Sequence, residues 1–466
     1  MEKIIAFLIS LITVLNSFIF SFFPCSFDNK FPIPTQEDSI MINGETIDFE
    51  KTELQNKISY IFKNNSADFF NYFGIKYSTS SYIKGIISYK QDLKTLSEEF
   101  FLEPGENAEF FSFIDGYLDN KKASKVLSVS FSALDKSDLN FELSGIGLFN
   151  REVLDNEIYI ENDEHKLGIT LNWGGSLSYL EDKNSSVEAV IVDGVTKVDS
   201  NASKRYNAEV QSKNVNLINA NDTGRLVQQS YYGTTECEQY TSGYYNNKKW
   251  NYNPVQGGNM YNEAAKIVDV RINDDNIYIK CRPLDWAKPK EDISPSYMEA
   301  TYSLSKGLVK ADCRFVDFSG YPPSDTTRTQ ECPAFYCVEP LNRFVYYGGD
   351  KPWTNDQNLS YENDLIFWPD AGYPKFNSTE NWSAFIGDFD DSFGIGLYVP
   401  NDVDFLSGVF LRGNCKTSDP ATEGPTSYIA VVERYSFRSF NPTTYSFYLS
   451  TGTTDEIRSN FETIKS

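Results

Sequence analysis

Carboxylates set beside aromatic rings are the groups in this chain best suited to do chemistry. Asp285 precedes Trp286, Glu299 follows Tyr297-Met298, Glu331 opens Glu331-Cys332-Pro333-Ala334-Phe335-Tyr336, and Glu380-Asn381 leads into Trp382. The densest stretch runs from Asn221 to Gly258 and holds Asp222, Arg225, Gln228, Tyr231, Tyr232, Trp250 and Gln256 among glycines, without apolar periodicity. Amide, carboxylate and guanidinium groups bind sugar hydroxyls, and flat rings stack on C–H faces. Glycosidic cleavage needs two carboxyl groups about 5 to 10 Å apart, one protonated and one ionised. An aromatic neighbour desolvates a carboxyl and raises its pKa. The expectation is therefore Glu299 as acid or base, with Asp222 or Glu331 as its partner. Arg225, Gln228, Tyr231, Tyr232, Trp250, Gln256, Asp285, Trp286 and Trp382 are expected to hold the carbohydrate. A second chemistry is β-elimination, with Arg225 neutralising a uronate and Tyr231 or Tyr232 as base. A third reading is a surface protein that binds carbohydrate without cleaving it.

Composition narrows the field. The net charge of −23 argues against nucleic acid and anionic membrane surfaces, which need a basic face. The one histidine, His165, lies in the polar run Asn162 to Lys166 and reads as a solvated turn residue. Any triad, dyad or multi-histidine metal site would have to use it, so the chemistry is left to carboxylates, Tyr or Arg. Six of the seven cysteines fall after residue 230, with no Cys-x-x-Cys, which leaves disulfides and buried thiols equally open. The Asp-Phe-Asp-Asp run at 388–391 lacks a calcium-loop pattern and reads as a solvated turn. No cofactor and no metal are expected.

The elements that must position these residues are strands. Ile4 to Phe23 is an uncharged, largely apolar run behind Lys3, which reads 1–23 as a signal peptide or a membrane anchor. The protein is thus expected to be secreted, or held as an ectodomain if the segment is retained. Residues 24–37 form a Pro-containing linker. Residues 38–150 carry short alternating runs such as Tyr82 to Tyr89, which predict an N-terminal β-sandwich. Leu54 to Phe73 is the most helix-like stretch. Residues 155–466 carry further short strands, too many for one small sandwich, and predict a large antiparallel β super-sandwich. The fold class is all-β, and the loops are left to carry function.

The run Leu171-Asn172-Trp173-Gly174-Gly175-Ser176-Leu177-Ser178-Tyr179-Leu180-Glu181-Asp182 resembles the early strand pair of galactose-mutarotase-like super-sandwich domains. Those domains carry a Gly-Gly-x-hydrophobic turn there, with an acidic residue opening the next turn. The resemblance covers the second unit and implies a fold shared with sugar-handling enzymes and modules. The family's acid–base histidines have no counterpart, so epimerase activity is not implied. The reading is an exported carbohydrate-active protein, a glycoside hydrolase first and a lyase or binding protein second.

Overall fold

Alternating Val, Ile, Tyr and Phe with polar residues writes strands, because successive side chains of an extended chain face opposite ways. The computed structural model describes residues 40–465 apart from 43–44, 64–69, 115–121, 136–138, 153, 235, 238–242, 290–292, 368–373 and 402. The export segment and the linker lie outside the described residues. The fold is all-β and antiparallel throughout.

A ten-stranded sheet runs Glu157–Glu161, His165–Thr170, Ser176–Asp182, Val227–Ser230, Arg328–Val338, Thr426–Tyr435, Asp404–Phe410, Lys375–Asn377, with Pro254–Val255 paired to Val227–Ser230 and Leu284–Asp285 paired to Pro254–Val255. A nine-stranded sheet holds Lys266–Ile272, Asn276–Arg282, Ser296–Ser305, Leu308–Asp317, Thr443–Gly452, Gly394–Tyr398, Trp382–Ile386, Arg343–Tyr346 and Ser360–Glu362 in that order. The two sheets bury one core between them. Leu167, Ile169, Leu177, Phe335, Ile429 and Val431 come from the first, and Ile279, Ala300, Phe315, Leu397, Phe447 and Leu449 from the second. Period-two alternation turns Tyr336 and Tyr428 to the outer face of the ten-stranded sheet, and the register shift between Glu331 and Ala334 brings Glu331 to that same face.

Ahead of these lie a five-stranded sheet and a three-stranded sheet built from Phe49–Leu54 to Phe141–Phe149. Ile58, Ile87, Phe100 and Val129 of the first share a core with Ile75, Phe110 and Ile146 of the second. Val268, Tyr297, Val316 and Phe318 from the nine-stranded sheet and its margin complete that same core. The stacked Phe101–Phe318 pair, 4.9 Å between ring centres, sits on this join.

Two expectations are corrected and one open choice is settled. The described residues of Leu54 to Phe73 are not helical: Phe49–Leu54, Lys57–Phe62 and Tyr72–Thr79 are strands. His165 is not solvated. It is 3% exposed, and its Nε2 lies 2.9 Å from Thr451 Oγ1, which donates to Asp182 Oδ2 at 2.6 Å. The six described cysteines are buried free thiols, which resolves the open choice against bridges among them.

Candidate functional site

The outer face of the ten-stranded sheet is concave at its centre. Strand Val227–Ser230 pairs with Arg328–Val338, placing Gln228 opposite Ala334 and Ser230 opposite Glu331. The next strand places Tyr428 opposite Tyr336. Glu331 therefore emerges among hydroxyls: Tyr428 donates to its Oε1 at 2.5 Å and Tyr232 to its Oε2 at 3.0 Å. Burial pushes the Glu331 carboxyl above the ordinary glutamate value, with the hydroxyls of Tyr428, Ser230 and Tyr232 pulling the other way. Its partners are hydroxyls rather than a lysine or arginine, so its proton is held more firmly than that of an ion-paired carboxylate.

Asp222 stands at the mouth, in the turn that leads into Val227–Ser230. Its Oδ1 accepts the Gly224 N–H at 2.9 Å, and its Oδ2 takes Asn221 Nδ2 at 3.0 Å and an ion pair from Arg225. Arg225 also donates to the Gly424 carbonyl at 2.9 Å. A Cβ on Gly224 would lie 2.7 Å from the Trp286 ring, so the bare glycine lets that indole close over the turn.

Two aromatic walls face each other across the gap. One is Tyr245, Trp250 and Trp286, with Tyr245 meeting Trp250 at 5.2 Å and Trp286 at 6.2 Å, edge to face. Tyr245 and Trp250 stand on the hairpin of Gly243–Tyr245 with Lys248–Trp250, and Trp286 follows the short strand Leu284–Asp285. The other is Tyr336, Phe367 and Phe410, where Phe367 meets Phe410 at 5.9 Å. They enclose about 750 Å³. A small recess of about 60 Å³ continues past Trp250 and Trp286 to Glu331, Tyr232 and Ser230. This size and mix of flat rings with a few polar groups suits a small polar ligand or part of a polymer.

The structure thus brings Asp222, Arg225, Gln228, Tyr232, Trp250, Trp286 and Glu331 to one cleft. Gln228 spends its amide on the Thr223 and Arg225 carbonyls and the Gly257 N–H, so it shapes the wall. Asp285 sits beneath: it accepts the Asn253 N–H at 3.0 Å, and Asn253 accepts from Trp250 Nε1 at 3.0 Å.

Besides Asp285, four candidates do not reach the cleft. Tyr231 follows its strand's alternation inward, stacks on Phe315 at 4.2 Å and is fully buried. Burial drives its phenol well above the ordinary value, the reverse of what a proton-abstracting base needs. Gln256 is buried against the Gly174 carbonyl at 3.2 Å, and Trp382 is buried in the nine-stranded sheet with Nε1 on Glu380 at 2.8 Å. Glu299 lies on the nine-stranded sheet, flanked in register by Lys280 and Arg314 and capped by Tyr278 at 2.8 Å. Its pairing with Asp222 or Glu331 is therefore excluded, since it lines neither the cleft nor its recess. Nothing in the sequence sets Tyr245, Tyr336, Phe367 and Phe410 apart from core aromatics. An aromatic on a strand reads the same whether its face is buried or lines a cleft.

No protein-family model and no curated protein matches the chain. Among solved structures it is similar to a galactose mutarotase-like protein from Lactobacillus casei, at 11% identity over 63% of this chain and 99% of that one, with a TM-score of 0.35. It is similar to a putative aldose 1-epimerase from Escherichia coli, at 8% identity over 64% of this chain and 99% of that one, with a TM-score of 0.34. An α-mannosidase from Enterococcus faecalis shows 8% identity over 88% of this chain and 42% of its own, with a TM-score of 0.31.

Proposed function

We propose that this protein binds a glycan in the cleft between the two aromatic walls and cleaves it hydrolytically, with Glu331 as the general acid. The observation that carries this is the Glu331 carboxyl, raised by burial and held by the hydroxyls of Tyr428 and Tyr232 at the end of an aromatic-lined recess. Its proton would pass to the glycosidic oxygen as the bond to the anomeric carbon breaks. Asp222, ion-paired with Arg225, is the second carboxylate of the same cleft. It would stabilise the cationic sugar or direct the water that replaces the leaving group. The test is release of reducing ends from a glycan panel. Glu331→Gln should lower it about 100- to 10,000-fold, with binding retained; equal rates in both proteins would end the hydrolase reading.

A second reading is favoured by one observation. Both oxygens of Asp222 already accept hydrogen bonds within its own turn. A cleft so arranged would bind sugar without cutting it. Retention on a glycan with no product from wild-type protein selects this reading. Export also belongs to the proposal. Culture fractionation of protein with and without residues 1–23 tests it, and cytoplasmic recovery of the full chain would refute it.

A further inference from the structure

A second concavity lies on the outer face of the ten-stranded sheet, beyond the turn carrying Asp222. It encloses about 540 Å³ and shares no lining residue with the first cleft. Its floor is built by register. Gly168 pairs with Tyr159 on one neighbouring strand and with Tyr179 on the other. A Cβ on Gly168 would lie 2.5 Å from the Tyr159 ring and 2.9 Å from the Tyr179 Cβ. The bare glycine therefore lets the two rings meet over the middle strand, edge to face, 5.3 Å apart.

Both rings are fixed in place. The Tyr159 hydroxyl donates to Glu157 at 2.8 Å and the Tyr179 hydroxyl to Glu181 at 2.6 Å, each two residues along its own strand. The Lys166 ammonium sits 4.4 Å from the Tyr159 ring centre and 5.6 Å from that of Tyr179. Tyr159 nevertheless stays 39% exposed. A third ring, Trp173, lines the same concavity from the short helical turn Leu171–Trp173, which the left-handed Gly174 ends at φ +60°. The bonded hydroxyl pair Thr170 and Ser178, 2.8 Å apart, and Asn214 belong to the same lining.

Partly exposed rings held rigid, amid hydroxyl and amide groups, lose little entropy on stacking against a flat C–H face. Glu157, Asp419 and Lys213 line the concavity, two carboxylates against one ammonium on a chain of net charge −23, which disfavours an anionic ligand. We infer that the Tyr159–Tyr179–Trp173 platform is a second binding site, for a neutral saccharide chain. The strand of Gly168 and the strand of Glu331 are three strand spacings apart in the sheet, about 15 Å at ordinary spacing. A long chain seated in the first cleft can therefore lie across both. This extended mode rests on the glycan reading of the first cleft, whereas binding at the platform does not.

Affinity gel electrophoresis of the whole protein through hydroxyethylcellulose, mixed-linkage glucan, galactomannan and soluble starch tests it. At least one polymer should retard wild-type protein. Tyr159→Ala and Trp173→Ala should each weaken that retardation at least 5-fold, and Tyr159→Phe, which keeps the ring, should restore it. Trp250→Ala, in the first cleft, should weaken it independently. If the platform variants migrate as wild type while Trp250→Ala runs free, the second site is refuted and the first stands. If Trp250→Ala is retarded as wild type while Trp173→Ala runs free, the second site holds and the first cleft's reading fails. If no polymer retards wild-type protein, the second site is refuted. Unchanged urea midpoints exclude misfolding of the variants.

Discussion

Replacing Glu299 by Gln should destabilise the protein without touching its chemistry. The carboxylate lies between Arg314, 2.9 Å from its Oε1, and Lys280, at 3.5 Å. Its side chain is 15% exposed, so solvent screens the group little. Burial alone would raise its pKa; Lys280, Arg314 and the Tyr278 hydroxyl overcome that and bring it from 4.5 to about 2. At about 1.4 kcal/mol per pH unit, the gap corresponds to roughly 3 kcal/mol of stability. The folded-state value lies below the unfolded one. The contribution is therefore complete above the unfolded value of 4.5 and is lost as pH falls through about 2. Glu299→Gln should thus lose about 3 kcal/mol at pH 7, read as a lower urea midpoint at unchanged slope. The deficit should shrink steadily from pH 5 toward pH 2.5. Equal midpoints at pH 7, or a deficit that does not change with pH, would refute the electrostatic reasoning. A fully folded Glu299→Gln protein whose glycan release fell as far as that of Glu331→Gln would restore Glu299 as a catalytic group.

Other predictions follow from features away from the cleft. Arg458 and Glu380 form a bidentate pair, 8% and 0% exposed in their side chains, under the C-terminal helix Thr454–Glu462. Arg458→Met should cost about 3–5 kcal/mol by stranding Glu380, and adding Glu380→Gln should recover part of it in urea titrations. A Cβ on Gly85 would fall 2.1 Å from the Phe100 ring, which stacks on Phe110 at 5.3 Å. Gly85→Ala should therefore cost about 1–3 kcal/mol by overpacking, read as a lower thermal midpoint. Burial holds His165 below its ordinary value of 6.5 against the pull of Asp182 and Glu164. Its contribution is complete above pH 6.5 and lost as pH falls through the lowered value, so His165→Gln should flatten the stability profile on that side.

Much of the strand content is legible because alternation survives in single sequences, as in Ile83–Gln91 with its strict in-and-out burial. Leu54 to Phe73 misleads for a physical reason. Ile61 is apolar but 46% exposed, so Ile58, Ile61 and Phe62 imitate a helical spacing inside a strand. The polar-aromatic stretch after Asn221 stands out because a core strand cannot bury so many polar groups. Within it, Tyr231 and Tyr232 look alike, and only the register with Arg328–Val338 decides which one faces the core. Glu299 shows the other limit. A carboxylate beside aromatics invites a catalytic reading, while the cations that claim it lie on adjacent strands and are invisible to local pattern.

The join between the smaller and larger sheet pairs has a bearing on how this chain can be divided or inherited. Val268, Tyr297, Val316 and Phe318 belong to the later half by sequence, and their apolar surface is covered by the earlier half. The bond from the Phe101 N–H to the Tyr297 hydroxyl, 2.7 Å long, crosses the same boundary. Cutting the chain near residue 155 would strip that cover and leave a sticky face on the fragment that holds both clefts. The halves are thus poor candidates for exchange with unrelated partners, and changes on one side of the seam must be answered on the other.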